Sequence, residues 1–226
     1  MGRWCRRPNM TPLRSTTATR CSSSRLSTEG RPMAFKLIAI TPELTLPDET
    51  WRITHLLDAG FDAVHLRKPH CGEEEMRGYV DALPAGIADR LAMHYFPDVA
   101  AEKGIGGVHL NKRSPRVPEG WKGAVSRSCH SLEEVAESRE LDYVFLSPVF
   151  DSISKQGYAS HFSEEQLRGH VDARVMALGG VTAGKIPWLA DVGFGGCAFL
   201  GYLFGVGAEE FCRRVELIVE QRNKII

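Results

Sequence analysis

The chain has 226 residues, 43% hydrophobic and 25% charged, enough to bury a core without disulfides or a structural metal. Lys and Arg number 28 and Asp and Glu 28, so the whole molecule has no bulk attraction to nucleic acid or to a membrane surface. Six cysteines (Cys5, Cys21, Cys71, Cys129, Cys197 and Cys212) are scattered without a CxxC pair, which favours free thiols in a reducing compartment. No apolar run approaches the roughly 18 to 20 residues that span a bilayer. The N-terminus also lacks the apolar stretch of a secretory signal, so a cytoplasmic location is expected.

Residues 1–34 hold Arg3, Arg6, Arg7, Arg14, Arg20, Arg25 and Arg31 against a single acid, Glu29. The stretch is rich in Ser and Thr and has no apolar periodicity, so a disordered extension is expected. Its composition suits a transit peptide. A basic RNA-binding arm is the weaker reading, because only Trp4 interleaves with the charges. The simplest reading has translation begin at Met33, just before regular structure starts.

From residue 35 to residue 226 the pattern predicts one domain. Phe35–Thr41 is a nearly continuous apolar run, as for a strand buried on both faces. Asp48 is placed to cap a helix through Ala59 that offers Trp51, Ile53, Leu56 and Leu57 for burial. Phe61–Arg67 is a second strand, Glu73–Leu83 a helix, Leu91–His94 a third strand and Pro97–Lys103 a helix with proline in its first turn. Gly107–Leu110 and Ala124–Ser128 are the fourth and fifth strands. Ser131 and Glu134 form a capping box at the next helix start. Asp142–Ser147 is the sixth strand, Ser163–Gly169 a helix and Arg174–Leu178 the seventh strand. A helix over Thr182–Val192 is expected to be weakened by Pro187. Cys197–Leu200 is the eighth strand, and Glu209–Gln221 a closing amphipathic helix.

Eight strands alternating with helices at this length predict a single α/β domain, a (β/α)8 TIM barrel. The rival, a doubly wound sheet, would be expected to carry GxGxxG after its first strand, and none is there. In such barrels the chemistry sits at the C-terminal ends of the strands. By alternation His65 and Arg67 share a side, as do His109 and Asn111, and Ser126, Ser128 and His130. The histidines form no HxH or HExxH set, so no metal is assigned to them. Gly179 and Gly180 pass from the seventh strand into a helix start and Gly201 follows the eighth. These are the loops where barrels commonly hold phosphate. After the sixth strand, Ser152, Ser154 and Lys155 offer two hydroxyls and an ammonium to a second anion.

Together these residues resemble the thiamine phosphate synthase and TenI superfamily. The segments that carry the resemblance are ValHisLeuArg at 64–67, GlyValHisLeu at 107–110, SerCysHisSer at 128–131, AspTyrValPheLeuSerProValPhe at 142–150, SerIleSerLys at 152–155 and MetAlaLeuGlyGlyVal at 176–181. The resemblance implies that aminopyrimidine methyl diphosphate loses pyrophosphate and that the nitrogen of a thiazole phosphate captures the resulting cation. It implies Arg67, Ser128, Ser152, Ser154 and Lys155 on pyrophosphate, and Gly179, Gly180 and Gly201 on the thiazole phosphate. His65 and His130 join Arg67 and Lys155 as candidate catalytic residues.

The chain departs from the family pattern at three places. Gln-Leu-Arg-x-Lys becomes His65-Leu66-Arg67-Lys68-Pro69, with Lys68 one residue early and facing the other side. Asn-Asp after the third strand becomes His94-Tyr95, and Gly-Gln-x-Asp after the fourth becomes Asn111-Lys112-Arg113-Ser114. Both carboxylates that would hold Mg2+ are thus missing, with Asp98 the only acid nearby, so no cofactor is assigned with certainty and Mg2+ stays open. The sister branch, thiazole tautomerase, needs no magnesium, but its catalytic histidine falls where this chain has Pro148. His65, His94 or His130 would have to take that role. A non-catalytic binder of a thiazole phosphate is the third alternative. The expected partners are small phosphorylated thiazoles and pyrimidines, with a homodimer compatible and neither nucleic acid nor membrane expected.

Overall fold

The computed structural model describes residues 35–150 and 162–225. Eight parallel strands close into a barrel in sequence order: β1 Lys36–Ile40, β2 Ala63–Leu66, β3 Leu91–Met93, β4 Gly107–Leu110, β5 Ala124–Cys129, β6 Tyr143–Leu146, β7 Val175–Ala177 and β8 Gly196–Phe199. This is the predicted TIM barrel. β1 closes on β8 with Lys36 beside Gly196. A Cβ at Gly196 would stand 2.4 Å from the Lys36 carbonyl oxygen, so closure there requires glycine.

The helices are α1 Glu49–Asp58, α2 Glu73–Asp81, α3 Pro97–Glu102, α4 Leu132–Glu137, α5 Glu164–Leu167, α6 Ile186–Val192, α7 Gly201–Phe204 and α8 Ala208–Asn223. No helix lies between β4 and β5, and two follow β8. Leu37, Val64, Leu66, Val144, Leu146 and Phe199 face the helical layer and meet Ile53, Leu56, Leu189, Phe211 and Ile218 in one buried cluster. A second cluster, Ile38, Ile40, Tyr143, Phe145, Met176 and Ala198, fills the inside of the barrel. Each branched or aromatic side chain so buried contributes about 1.5–3 kcal/mol.

Four local expectations are corrected. Pro187 does not weaken a helix. A 3-10 turn at Ala183–Lys185 precedes α6, and Pro187 lies in the first turn of α6, where its missing N–H is harmless. Asp48 precedes α1 without a side-chain cap; its carboxylate takes the Arg52 Nε–H at 3.0 Å instead. Trp51 stays 44% exposed while Glu49 and Arg52 are buried in the same turn. The Ser131 hydroxyl accepts the Glu134 N–H at 3.2 Å as expected, but the Glu134 carboxylate reaches one residue further back and takes the His130 N–H at 2.6 Å.

Candidate active site

The strands that form one half of the barrel put polar groups where such barrels usually hold branched apolar ones. His65, His109 and Ser126 are buried inside, and His94, just beyond β3, is only 7% exposed. His65 Nδ1 shares a hydrogen bond with His94 Nε2 at 3.0 Å, and His65 Nε2 shares one with the Tyr143 hydroxyl at 2.6 Å. His109 Nδ1 meets Ser126 Oγ at 2.9 Å and its Nε2 meets Ser128 Oγ at 3.1 Å. The His94 and His109 rings stack with centroids 4.0 Å apart. The Asn111 amide donates to the His94 carbonyl and helps fix the turn after β4.

Burial sets the protonation of this cluster, because a charged imidazole there would lose its hydration. It pushes His65 and His94 well below the usual histidine range, with His109 nearby adding to the effect. His109 itself falls to about 3, through burial and then the charges of Arg127 and Arg67. Burial raises the Tyr143 phenol, against a lowering contribution from the Ser126 hydroxyl. At neutral pH the whole set is uncharged.

One ring nitrogen from each of His65, His94 and His109 lies within 4.8 Å of the other two. Motif spacing missed this three-imidazole set because three adjacent strands supply it, one ring each. By distance it has the makings of a transition-metal site. In this structure His109 turns both nitrogens to serines and His65 shares both of its own with His94 and Tyr143, so hydrogen-bond partners already engage them. Magnesium, which the resemblance implies, takes a shell of oxygens. At the corresponding strand ends stand His94, Tyr95, Lys112 and Arg113, with the Arg113 guanidinium 4.8 Å over the Tyr95 ring and donating to the Pro69 carbonyl. These residues do not fit a magnesium ion.

The other predicted site residues fall as follows. Arg67 ends β2 at the mouth, its backbone N–H on Thr41 Oγ1 and its guanidinium paired with Glu43 at 2.8 Å. Lys68 turns away into a buried ion pair with Glu49 at 2.7 Å, as its register implied. His130 does not join Ser126 and Ser128 inside. β5 ends at Cys129, and the exposed His130 ring donates from Nδ1 to the Ser147 carbonyl at 2.8 Å, with no partner for Nε2 among the described residues. Gly179 and Gly180 have φ of 90° and 63°, a left-handed pair after β7. Gly179 packs on Pro148, so a Cβ there would come within 2.9 Å of Pro148 Cα. Gly201 opens α7. Ser152, Ser154 and Lys155 lie outside the described residues.

A cavity of about 610 Å³ opens at the ends of β4 and β5, lined by Tyr95, Asn111, Lys112, Arg113, Arg127, Ser128 and His130 among others. The sequence reading noticed Lys112 and Arg113 but missed Arg127, which follows the inward Ser126 and pairs in register with Leu110. Among the described residues of its wall, Lys112, Arg113 and Arg127 outnumber one acid, Glu134, so this part of the wall favours an anionic ligand.

The closed eight-stranded parallel barrel with its polar strand ends gathered at one mouth defines a TIM barrel. In fold it is similar to a thiamine phosphate pyrophosphorylase from Pyrococcus furiosus, at 22% identity and a TM-score of 0.66 over 86% of this chain and 98% of that one. A thiamine phosphate pyrophosphorylase from Bacteroides thetaiotaomicron is 32% identical, with a TM-score of 0.68 over 84% of this chain and 95% of that one. The chain belongs to the thiamine monophosphate synthase (TMP-TENI) family, whose model matches residues 37–203. Thiamine-phosphate synthases of Rhodopirellula baltica and of a Psychrobacter species are each 25% identical to it, over 191 and 181 residues, or 74% of this chain in both cases. The chain spans 51% of the Rhodopirellula protein and 84% of the Psychrobacter one. No helix among the described residues is long and apolar enough to cross a membrane.

Proposed function

We propose that this chain joins aminopyrimidine methyl diphosphate to a thiazole phosphate, forming thiamine phosphate and pyrophosphate. The carbon–oxygen bond to the diphosphate breaks with its electron pair leaving on pyrophosphate. The thiazole nitrogen lone pair then closes on the pyrimidine methylene. The observation that carries this reading is the family match over residues 37–203 on a barrel whose mouth keeps Arg67, Ser128 and the Gly179–Gly180 turn. In the proposal the glycine turn and the start of α7 at Gly201 hold the thiazole phosphate through backbone N–H groups. Arg67, Ser128 and the cations of the cavity (Lys112, Arg113, Arg127) hold the departing pyrophosphate, stabilising its charge without a metal. Ser152, Ser154 and Lys155 complete that group.

The test is a coupled assay of the purified chain with both substrates, with and without EDTA. Thiamine phosphate formed equally in EDTA is the expected result. No product at high enzyme, with measurable thiazole phosphate binding, would reject the synthase and leave a binder. Strict magnesium dependence would reject the metal-free account of the leaving group.

One observation favours a second reading, an isomerase of the tautomerase kind. The mouth is backed by three uncharged imidazoles, a phenol and two serines, groups suited to moving protons rather than to holding pyrophosphate.

A further inference from the structure

Where the resemblance implies a magnesium shell of oxygens, this barrel gathers imidazole nitrogens. Magnesium takes hard oxygen ligands, whereas neutral imidazole suits zinc, copper, nickel and iron. His65 Nδ1 and His94 Nε2 lie 3.0 Å apart, and His109 brings a third nitrogen within 4.8 Å of one in each of the other rings. Two nitrogens on one tetrahedral zinc ion, each about 2.0–2.1 Å from it, stand roughly 3.3 Å apart, so the first pair is close to ligand spacing. Burial keeps all three rings uncharged at neutral pH, which leaves each with one lone pair to give. The outer contacts are of the kind that fix a ligand's tautomer. The Tyr143 oxygen lies 2.6 Å from His65 Nε2 and can take its N–H, leaving Nδ1 bare toward His94. Ser126 donates to the Val108 carbonyl at 3.4 Å, so its oxygen remains to accept the His109 Nδ1–H at 2.9 Å. The His109 lone pair then falls on Nε2, beside the Ser128 hydroxyl at 3.1 Å.

We propose that His65, His94 and His109 are the protein ligands of a divalent transition-metal ion, zinc fitting best, with a fourth position open toward the mouth. Three protein ligands and one open position are the pattern of zinc sites that bind or activate a small ligand. Binding exchanges the His65–His94 hydrogen bond and the Ser128 contact of His109 for bonds to the ion. The His94 and His109 rings stack with centroids 4.0 Å apart, so His109 must also turn off the face of His94 for the three lone pairs to meet. His109 is held by serine hydroxyls alone, which makes it the ring that turns most easily. Besides burial, the charges of Arg127 and Arg67 act on His109, and they would repel a bare dication. An anion at the fourth position, hydroxide or a phosphate oxygen, offsets that repulsion. The ion thus calls for the same class of ligand as the cationic wall of the neighbouring cavity. This inference goes beyond the coupling reaction, which as proposed takes no step through the ion.

The experiment reads the metal without a substrate, so its outcome is independent of the coupling assay. The purified full chain, dialysed against a chelator and then freed of it, is titrated with Zn2+ by calorimetry and with Co2+ by visible absorption, both in excess Mg2+. One ion per chain is expected despite the Mg2+, with the strong visible band of a four-coordinate cobalt ion. Added azide should shift that band, and an unshifted band would reject the open fourth position. His94→Ala should abolish binding, and Tyr143→Phe should weaken zinc about 10–100-fold by releasing His65 from its tautomer. His170→Ala, at an exposed histidine away from the three, should leave binding unchanged. In the wild type labelled with ¹⁵N in histidine, zinc should move the ring nitrogens of His65, His94 and His109 together in the NMR spectrum. That measurement needs no variant and carries the test even where a substitution prevents folding. Binding that survives His94→Ala in a folded chain would overturn the proposal, and so would a zinc titration that leaves those three rings unmoved.

Discussion

Arg67 donates to Glu43 Oε1 across 2.8 Å, and His70 meets the other oxygen of that carboxylate at 3.3 Å. The hydrogen bond from Arg67, followed by that from His70, holds the Glu43 carboxyl below its ordinary range. The cation expected to greet a diphosphate is thus already paired with a competing anion from the β1–α1 loop. Such an exposed pair contributes about 0–1 kcal/mol to stability, so an incoming phosphate can displace it.

Glu43→Gln should therefore bind inorganic pyrophosphate several-fold more tightly, measured by calorimetry. Arg67→Ala should lose most of that binding. Neither change should shift the thermal midpoint by more than a degree or two, since surface substitutions stay within about 0.5 kcal/mol. Equal affinity in wild type and Glu43→Gln would show that Arg67 does not meet the anion.

The neighbouring Lys68 behaves in the opposite way. Its ammonium lies 2.7 Å from Glu49, donates to the Pro42 carbonyl at 2.8 Å and is fully buried, while Tyr79 and the Leu46 N–H also donate to the same carboxylate. Lys68→Met should cost about 3–5 kcal/mol in urea unfolding, because it leaves a buried carboxylate without its cation. Lys68→Met combined with Glu49→Leu should recover a large part of that loss. Additive losses in the double variant would contradict the pairing.

Acid should unfold the barrel earlier than its surface carboxylates alone require. In the folded chain His65 and His94 titrate well below the ordinary histidine value and His109 at about 3, whereas all three take protons near 6.5 when unfolded. The unfolded state then binds more protons between those limits, so stability is full above about pH 6.5 and falls as pH drops below it. Each imidazole steepens the loss by about 1.4 kcal/mol per pH unit. Urea titrations from pH 7 to pH 5 should show this slope, reduced in His109→Gln. An unchanged slope in that variant would mean that His109 is protonated in the folded state.

The glycine turn gives a prediction that separates binding from folding. Gly180→Asp sets a carboxylate where a phosphate is proposed to sit, and should abolish thiazole phosphate binding. Gly179→Ala adds a Cβ within 2.9 Å of Pro148 at a φ of 90°, and should lower stability by about 1–3 kcal/mol. Binding unchanged in Gly180→Asp would remove the phosphate from this loop.

Much of the barrel was legible in the sequence because parallel strands covered on both faces read as short apolar runs, as Phe35–Thr41 and Asp142–Ser147 do. The Ser131 cap was legible for a similar reason: its partner lies three residues away on the same chain segment. Features that depend on neighbours from elsewhere were not. The convergence of His65, His94 and His109 rests on the register of three strands, in which His65 pairs with Ala92 and His109 with Ser126. Alternation assigned His130 to the side of Ser126 and Ser128, and it failed because β5 stops one residue earlier and the Ser147 carbonyl draws the ring outward. Burial of Arg52 and exposure of Trp51 likewise reverse what hydrophobicity alone suggests. The Leu203 and Val206 carbonyls after β8 offer the guanidinium partners that no local pattern records.

Between β4 and β5 the chain crosses from strand to strand without a helix, over residues 111–123. Elsewhere, exchanging a strand connection would disturb a helix packed on the wall. Here the stretch before Trp121 can be exchanged with no helix to displace, while Trp121 and Gly123 stay packed on the wall. The same segment supplies Lys112 and Arg113 to the cavity. The barrel thus has a natural graft point, where the range of ligands it accepts can be rewritten with little burden on its ability to fold.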